Sequence, residues 1–487
     1  MTLLFYGLTL AIGIVVAFFA FDDLFIDLVA ILRNLKPRKL SIDDLANMHN
    51  MPQKKIAIMI ANWHEEEIIE RMIVGNISRI DYLNYDFFLG VYPNDSATLK
   101  IALRLKERYS RVQVVVNTKP GPTSKGQMLN EILIAIKASE ISQRQIYDIF
   151  LMHDSEDIIH TLALKLINYR MEKNDFVQIP VFSLPTPALD LTRGTYIDEF
   201  TESHTKDMLV RSHLNGGVPS AGVGTAMSHL FVSDIVELQK GYLLKQDTLT
   251  EDYHLGLMAH RLGYRSEFAC FYAKKKKGKD FVATREFFPA RVATSIRQKT
   301  RWTLGISLQG YDNLKWGKTW AENYFLWRDR RGLINAPMLL LSYGLFLSVS
   351  IYYVIQHHLP DYILESQLIR YLFLFNLSCL LLKIFQRFRL VAGLNGLSLA
   401  LLIPARWFLA NYINTMASVK AVQNYRKALK TGQEPKWAKT AHELPVNFGL
   451  ETFDILVVMT PTLQPELVEV SSETSSMAGQ ERRENAI

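Results

Sequence analysis

The chain has 487 residues, 49% of them apolar, and a formal net charge of +7; this length exceeds one ordinary core and excludes a single small domain. Its two cysteines, Cys270 and Cys379, lie far apart, which excludes a disulfide scaffold or a Cys-based zinc site and fits a cytosolic setting for the globular part. The basic residues form no stripe interleaved with stacking aromatics, so nucleic acid is not the expected partner; many flank apolar runs, which suits anionic headgroups of a lipid bilayer.

Residues 3–21 are apolar and uncharged, long enough to span a bilayer at about 1.5 Å per residue. A cleaved signal peptide is the competing reading, and the lack of a basic n-region and a small-x-small cleavage site speaks against it. Asp22, Asp23 and Asp27 follow, then Arg33, Lys36, Arg38 and Lys39. The positive-inside rule puts this basic cluster, and the chain after it, in the cytoplasm. From Lys54 to Trp327 short apolar runs alternate with helical patterns. Ile56–Ile60, Phe87–Tyr92, Val112–Val116 and Ile149–Met152 read as buried parallel strands, with helical patterns such as Glu66–Ile80 and Gly126–Ala138 between them. The alternation predicts an α/β domain: a mostly parallel sheet with flanking helices, whose ligands bind beyond the carboxyl ends of the strands.

After Trp327, Leu333–Gln356 and Ile369–Phe385 are two further spanning candidates. Lys383, Arg387 and Arg389 close the second and favour a cytoplasmic side there. A third apolar run, Gly393–Ala417, is interrupted by Pro404 and Arg406. Spanning there would put the basic stretch Lys420–Lys439 outside, so a re-entrant or in-plane helix pair is expected. From Val468 onward the Ser- and Glu-rich composition predicts disorder. The expected organisation is an N-terminal transmembrane helix (1–32), a cytoplasmic globular domain (33–327), a membrane region of transmembrane and interfacial helices (328–447) and a disordered tail (448–487).

Four short motifs succeed one another in the globular part. Asp95 ends one predicted strand, and Asp154-Ser155-Glu156-Asp157 ends another. Carboxylates two residues apart can both reach one hard divalent ion, Mg2+ or Mn2+. The competing reading is a helix N-cap at Asp154 or Ser155. Thr250-Glu251-Asp252 precedes the helical pattern Tyr253–Leu262, which Gly263 ends; here too capping by Thr250 competes with chemistry. Gln298, Arg301 and Trp302 share one helix face at spacings of three and four. Arg301 suits a diphosphate and Trp302 the apolar face of a sugar ring, while an interfacial anchor helix is the alternative. Lys125, in Gly121-Pro122-Thr123-Ser124-Lys125, suits phosphate. Gly222-Val223-Gly224-Thr225 lacks the spacing and lysine of an NTPase phosphate loop. The histidines show no His-x-x-x-His pair, so no zinc site is expected.

In this order the motifs resemble those of membrane-bound family 2 glycosyltransferases, above all the NfrB-type inner-membrane subgroup first named as phage-adsorption proteins. The segments Trp63–Glu66, Tyr92–Asp95, Gly121–Lys125, His153–Asp157, Thr250–Tyr253, Arg297–Trp302 and Tyr324–Arg331 carry the resemblance. It implies a GT-A fold, a nucleotide-sugar donor (UDP-linked), inversion, and a divalent metal held by Asp154 and Glu156. Glu156 departs from the family's usual second aspartate. Asp252 would be the general base, with Glu251 beside it. Glu65, Asp95 and Lys125 would bind the nucleotide. Gln298, Arg301 and Trp302 would bind the acceptor and the diphosphate. In the loop Ala61–Glu65 the family's usual proline and asparagine are replaced by Ala61 and His64. The resemblance further implies a bacterial inner-membrane enzyme, cytoplasmic in its catalytic part, that extends a glycan acceptor for a surface or secreted polysaccharide. An outer-membrane partner would serve export, and a second copy of the chain or another partner would complete a channel. Larger members of the subgroup carry a cyclic-di-GMP-binding domain after the membrane region. Single-sugar transfer to a lipid phosphate carrier, and an inactive scaffold in an export complex, are the alternatives.

Overall fold

The computed structural model describes residues 2–246, 248–275 and 278–432, so the tail expected at 448–487 lies outside the described residues. Seven strands form the central sheet: β1 (Ile56–Ala61), β2 (Tyr85–Val91), β3 (Val112–Val116), β4 (Ile149–His153), β5 (Phe176–Gln178), β6 (Thr225–Ser228) and β7 (Ser266–Phe268). Their order is β7-β5-β6-β4-β1-β2-β3. β1 runs parallel to β2 and β4, and β6 runs antiparallel to both of its neighbours. The first four strands lie where the apolar runs predict them. β6 does not, because its short Thr-Ala-Met-Ser run comes after glycines that read as loop.

The apolar runs are continuous because both faces of the sheet are covered. Along β1, Ile56, Ile58 and Ile60 enter the core on one face, while Ala57 and Met59 enter the core on the other. Gly90 in β2 permits the closest helix approach. A Cβ there would sit 2.5 Å from the Met128 Sδ of the helix Lys125–Gln143, so only glycine lets that helix lie flat on the strand.

Eight of the helices build the walls of the cleft or the exposed apolar surface: α1 (Thr2–Leu32), α2 (Leu191–Glu202), α3 (Glu251–Arg261), α4 (Val292–Thr303), α5 (Trp320–Arg330), α6 (Gly332–Gln356), α7 (Gln367–Asn395) and α8 (Ile403–Thr431). Among the described residues, α1, α6 and α7 are long and apolar enough to cross a membrane, few of their residues are buried, and many large apolar side chains on them are exposed. α1 packs against both of the others.

The apolar run Gly393–Ala417 is divided. α7 stops at Asn395, a short helix covers Leu397–Leu401, and α8 comes next. Gly396, at φ 92°, makes the first break, and Pro404 sits in the first turn of α8, where its missing N–H is harmless. α8 packs on α2, α4 and α6. The Arg406 guanidinium is fully buried and forks onto Asp198 of α2 through two bonds of 2.7 Å. Its charge interrupts the run because it anchors α8 to the globular domain.

Asp22, Asp23 and Asp27 lie in the last third of α1. They belong to an ionic junction of five carboxylates and five bases. Asp22 and Asp23 pair with Arg328, Arg331 and, for Asp23, Lys383. Asp27 pairs with Lys206 at 2.5 Å, and Lys206 also reaches Glu202 at 2.9 Å. Glu202 takes Arg387 at 2.5 Å, and Asp207 meets Lys206 and Arg328 at 3.5 and 3.6 Å. Largely buried charges of this kind persist only when paired, and the pairing stitches α1, α5, α7 and α2 together.

Candidate active site

The carboxyl end of β4 forms one wall of a cleft. His153 Nδ1 and Asp157 Oδ2, both fully buried, lie 2.7 Å apart, and the same oxygen accepts the Asp154 N–H at 2.8 Å. The chain then enters the strand Ile158–Ile159, and the next helix starts only at Ala163. The N-cap reading of Asp154 and Ser155 therefore fails. The turn occupies Asp157, while Asp154, Ser155 and Glu156 line the cleft. Ser155 Oγ donates to Asn62 Oδ1 at 2.9 Å, which ties this wall to the loop after β1.

Lys125 begins the helix Lys125–Gln143, pairs with Asp154 and donates to the Gly222 carbonyl at 3.1 Å. Burial opposes its charge, but Asp154, Asp252 and Glu251 outweigh burial and hold the ammonium above its ordinary range.

Glu251 and Asp252 form the first turn of α3. Thr250 occupies the cap position, yet its side chain makes no capping bond, and its Oγ1 is buried without a hydrogen-bond partner. Capping thus does not account for this motif. Gly263, at φ 84°, lies just past the helix as expected. Asp252 Oδ1 accepts the Tyr253 N–H at 2.8 Å. Gly222, at φ 78°, passes so close that a Cβ there would overlap Asp252 Oδ2. Burial, then the neighbouring Asp252, pushes the Glu251 carboxyl up to about 7. Burial also raises Asp252, against the pull of Lys125 and Arg301.

α4 supplies the opposite wall. Gln298, Arg301 and Trp302 all line the cleft. Gln298 Oε1 and Arg301 Nε are buried with no hydrogen-bond partner among the described residues. Buried polar atoms are rarely left so without a ligand to meet them. The Trp302 ring stands edge-on to Tyr196 and Phe200, each at 6.2 Å. Past Thr303 the helix widens into a π turn, Leu304–Gln309, where Gln309 Oε1 accepts the Leu249 N–H at 3.0 Å. A single helical segment therefore presents Arg301 and Trp302 and also clamps the strand of chain leading to Asp252. Tyr253 extends the connection, since its hydroxyl donates to Asp329 of α5 at 2.6 Å, and Asp329 is forked by Arg211 at 2.8 and 2.9 Å.

The expected nucleotide residues separate. Glu65 and Lys125 line the cleft, and Asp95 does not. Asp95 is buried. Its carboxylate accepts the His64 N–H at 2.7 Å and caps the helix Ser96–Arg108 through the Thr98 N–H at 3.3 Å. It shapes the loop that carries Trp63 and Glu65. His64, Glu66 and Asp95 bring ligand-type atoms within 4.8 Å of one another, but both Asp95 oxygens already serve the backbone. Trp63 and Tyr92, edge-to-face at 5.0 Å, line the cleft and offer a flat aromatic surface.

Glu286 also lines the cleft and was not among the expected residues. It arrives because the strand Thr284–Glu286 pairs with Val181–Ser183, a contact across a hundred residues with no local signature. Burial, then Asp157, Glu156 and Asp154, holds its carboxyl well above the usual range. Crowded carboxylates with oxygen donors on facing walls suit a hard divalent cation, which would relieve their repulsion. The residues present therefore fit Mg2+ or Mn2+.

The family model for glycosyltransferase like family 2 matches residues 52–305. Two curated relatives are each 35% identical over 470 residues: Bacteriophage adsorption protein B of Escherichia coli (strain K12) and Bacteriophage N4 adsorption protein B of Escherichia coli O157:H7. The match covers 90% of this chain and 63% of each relative, so the chain spans less than two thirds of their length. Among solved structures, a mannosyltransferase from Pyrobaculum calidifontis in complex with GDP-Man and Mn2+ superposes with a TM-score of 0.52 at 14% identity, over 85% of this chain and 99% of its own. That likeness places the fold with the GT-A glycosyltransferases.

Proposed function

The chain belongs to the family 2-like glycosyltransferases, and from that premise we propose that it moves a sugar from a UDP-linked donor to a growing polysaccharide, with inversion. Asp252 takes the proton from the acceptor hydroxyl, and burial, which raises its carboxyl, makes it a stronger base than an ordinary aspartate. Glu251 shares its buried environment. Glu65, Trp63 and Tyr92 receive the nucleotide, and Lys125 and Arg301 meet the diphosphate. Trp302 and Gln298 hold the acceptor sugar in line with the transferred carbon. Asp154 and Glu156, with Glu286 behind them, would hold Mg2+ or Mn2+. That ion supplies a counter-charge for the departing diphosphate.

One observation carries the reading. Three motifs spread over about a hundred and fifty residues converge on one cleft, and Gln298 and Arg301, which line it, each keep a buried polar atom with no hydrogen-bond partner among the described residues. The exposed apolar faces of α1, α6 and α7 support placement in the inner membrane, and the basic residues after α1 support a cytoplasmic cleft. The phage-adsorption names of the relatives fit a glycan made for the cell surface, exported with an outer-membrane partner or a second copy of this chain.

The test is nucleotide release and polymer formation by detergent-purified protein, given a panel of UDP-sugars with Mg2+ or Mn2+. The reading requires metal-dependent UDP release with one sugar, lost in Asp252→Asn. Absence of release with every donor would overturn it. Products of a single sugar would instead favour transfer to a lipid phosphate.

A further inference from the structure

A second cavity, of about 430 Å³, lies where the end of α1 and the end of α7 meet the globular domain. Besides Lys206, which belongs to the ionic junction, three cations line it: Lys36 just past α1, Arg389 on α7 and Lys279 at the start of the strand Lys279–Phe281. None of these three forms an ion pair among the described residues. Arg389 donates only to Gln386 Oε1, at 2.9 Å, and Lys279 rests over the Tyr272 ring at 4.9 Å. The cavity's one carboxylate, Asp27, is already neutralised by Lys206. The positive charge is therefore uncompensated, unlike that of the neighbouring ionic junction.

The backbone fixes one of these cations in place. Asn34, at φ 49°, is left-handed, and the Leu35 N–H returns to the Ala30 carbonyl at 2.8 Å. This turn stops α1 and folds Lys36 to the cavity. Apolar side chains, among them Ile31, Leu390 and Leu394, share the remaining walls with Asn34, Thr205 and Gln386. Apolar surface continues from the cavity along both helices, where Ile31, Leu32 and Phe385 are 64%, 72% and 62% exposed.

We propose that this cavity binds the phosphate headgroup of an anionic phospholipid, its acyl chains lying along α1 and α7. A phosphate satisfies the three cations. The apolar walls and exposed helix faces select a lipid over a free phosphate, since only a lipid would cover them. The inference rests on the membrane placement proposed above. It is separate from the sugar-transfer cleft and shares no residue with it.

The experiment uses the full chain, delipidated in detergent, with native mass spectrometry reading bound lipid. The probes are phosphatidylglycerol and phosphatidylcholine of equal chain length. Retention of phosphatidylglycerol at least about ten-fold over phosphatidylcholine is expected, falling about five-fold in each of Lys36→Gln, Lys279→Gln and Arg389→Gln. Lys100→Gln, on the exposed face of a helix elsewhere, should leave retention unchanged. Equal retention of the two lipids, no response in the three variants, or an equal response at Lys100 would overturn the proposal. Displacement by equimolar inorganic phosphate would assign the cavity to a free phosphate and also overturn it. Carbonate extraction of cell membranes separates the two readings. A chain that washes off refutes the membrane placement, whereas a chain that stays but lacks the lipid preference refutes this site alone.

Discussion

The cleft and the ionic junction are built from the same residue types to opposite ends. At the junction five carboxylates, Asp22, Asp23, Asp27, Glu202 and Asp207, meet five bases, Lys206, Arg328, Arg331, Lys383 and Arg387. In the cleft six carboxylates, Glu65, Asp154, Glu156, Glu251, Asp252 and Glu286, face two cations, Lys125 and Arg301. The balanced set holds helices together and needs nothing more. In the unbalanced set burial first, and neighbouring carboxylates second, raise Glu251, Asp252 and Glu286, and a cation or a proton must relieve the excess charge. An acidic cleft would also repel a diphosphate, so the imbalance itself argues for a bound divalent ion. Charge balance thus separates the part of this molecule that holds from the part that acts.

Five substitutions test that contrast. Asp252→Asn should lower turnover by about 10²–10⁴-fold while leaving the melting temperature unchanged or higher, because it removes a repelling charge; nucleotide release and thermal melts read both. Arg331→Met should do the reverse. It takes one of two bases from Asp22 and one of three from Asp23 and should remove up to about 3 kcal/mol of stability, measured by denaturant unfolding in detergent, with turnover per folded molecule retained at low temperature. Replacing Asp23 by Leu in the same chain should recover part of the loss.

Glu251 offers a pH test. Its carboxyl moves from an ordinary 4.5 to about 7 in the folded chain, so between these values the folded state holds a proton that the unfolded state releases. Its contribution is complete below 4.5 and disappears as the pH rises through 7, amounting to about 3 kcal/mol. Glu251→Gln should flatten the fall in metal-free stability across that window. If the slope persists, the buried acid pair is not its source. The smallest effect is expected at Gly222→Ala. Its left-handed φ disfavours a side chain by about 1–2 kcal/mol, and the new Cβ would push Asp252 aside. A turnover loss of about ten-fold with about 1–2 kcal/mol of stability lost is expected; an unchanged rate would mean that Asp252 is not held by this loop.

The chemistry of the cleft was legible where it is local. Asp154, Glu156, Glu251, Asp252, Gln298, Arg301 and Trp302 each sit at a strand end or on one helix turn, so a short motif carries both the residue and its direction. Asp95 shows the limit of that logic. Its place after β2 was readable, but its carboxylate turns inward to the His64 and Thr98 N–H groups. Glu286 and the junction left no local trace. Asp22 and Arg331 are 309 residues apart, and a pattern window sees only an acidic patch and a basic one. The run holding Arg406 read as an interrupted membrane segment for the same reason, since its partner Asp198 lies 208 residues away.

The π turn Leu304–Gln309 carries one residue more than an α-helical turn would, and that surplus sets the phase between α4 and everything after it. Deleting one residue there would turn the helical segment that follows, Gly310–Leu314, by about 100° against α4. Gln309 would then leave Leu249, with every side chain of the cleft unchanged in identity. The proposed base is therefore indexed to the helices that follow by a count of residues, so a single-codon deletion outside every motif should disturb the cleft without changing any of its side chains.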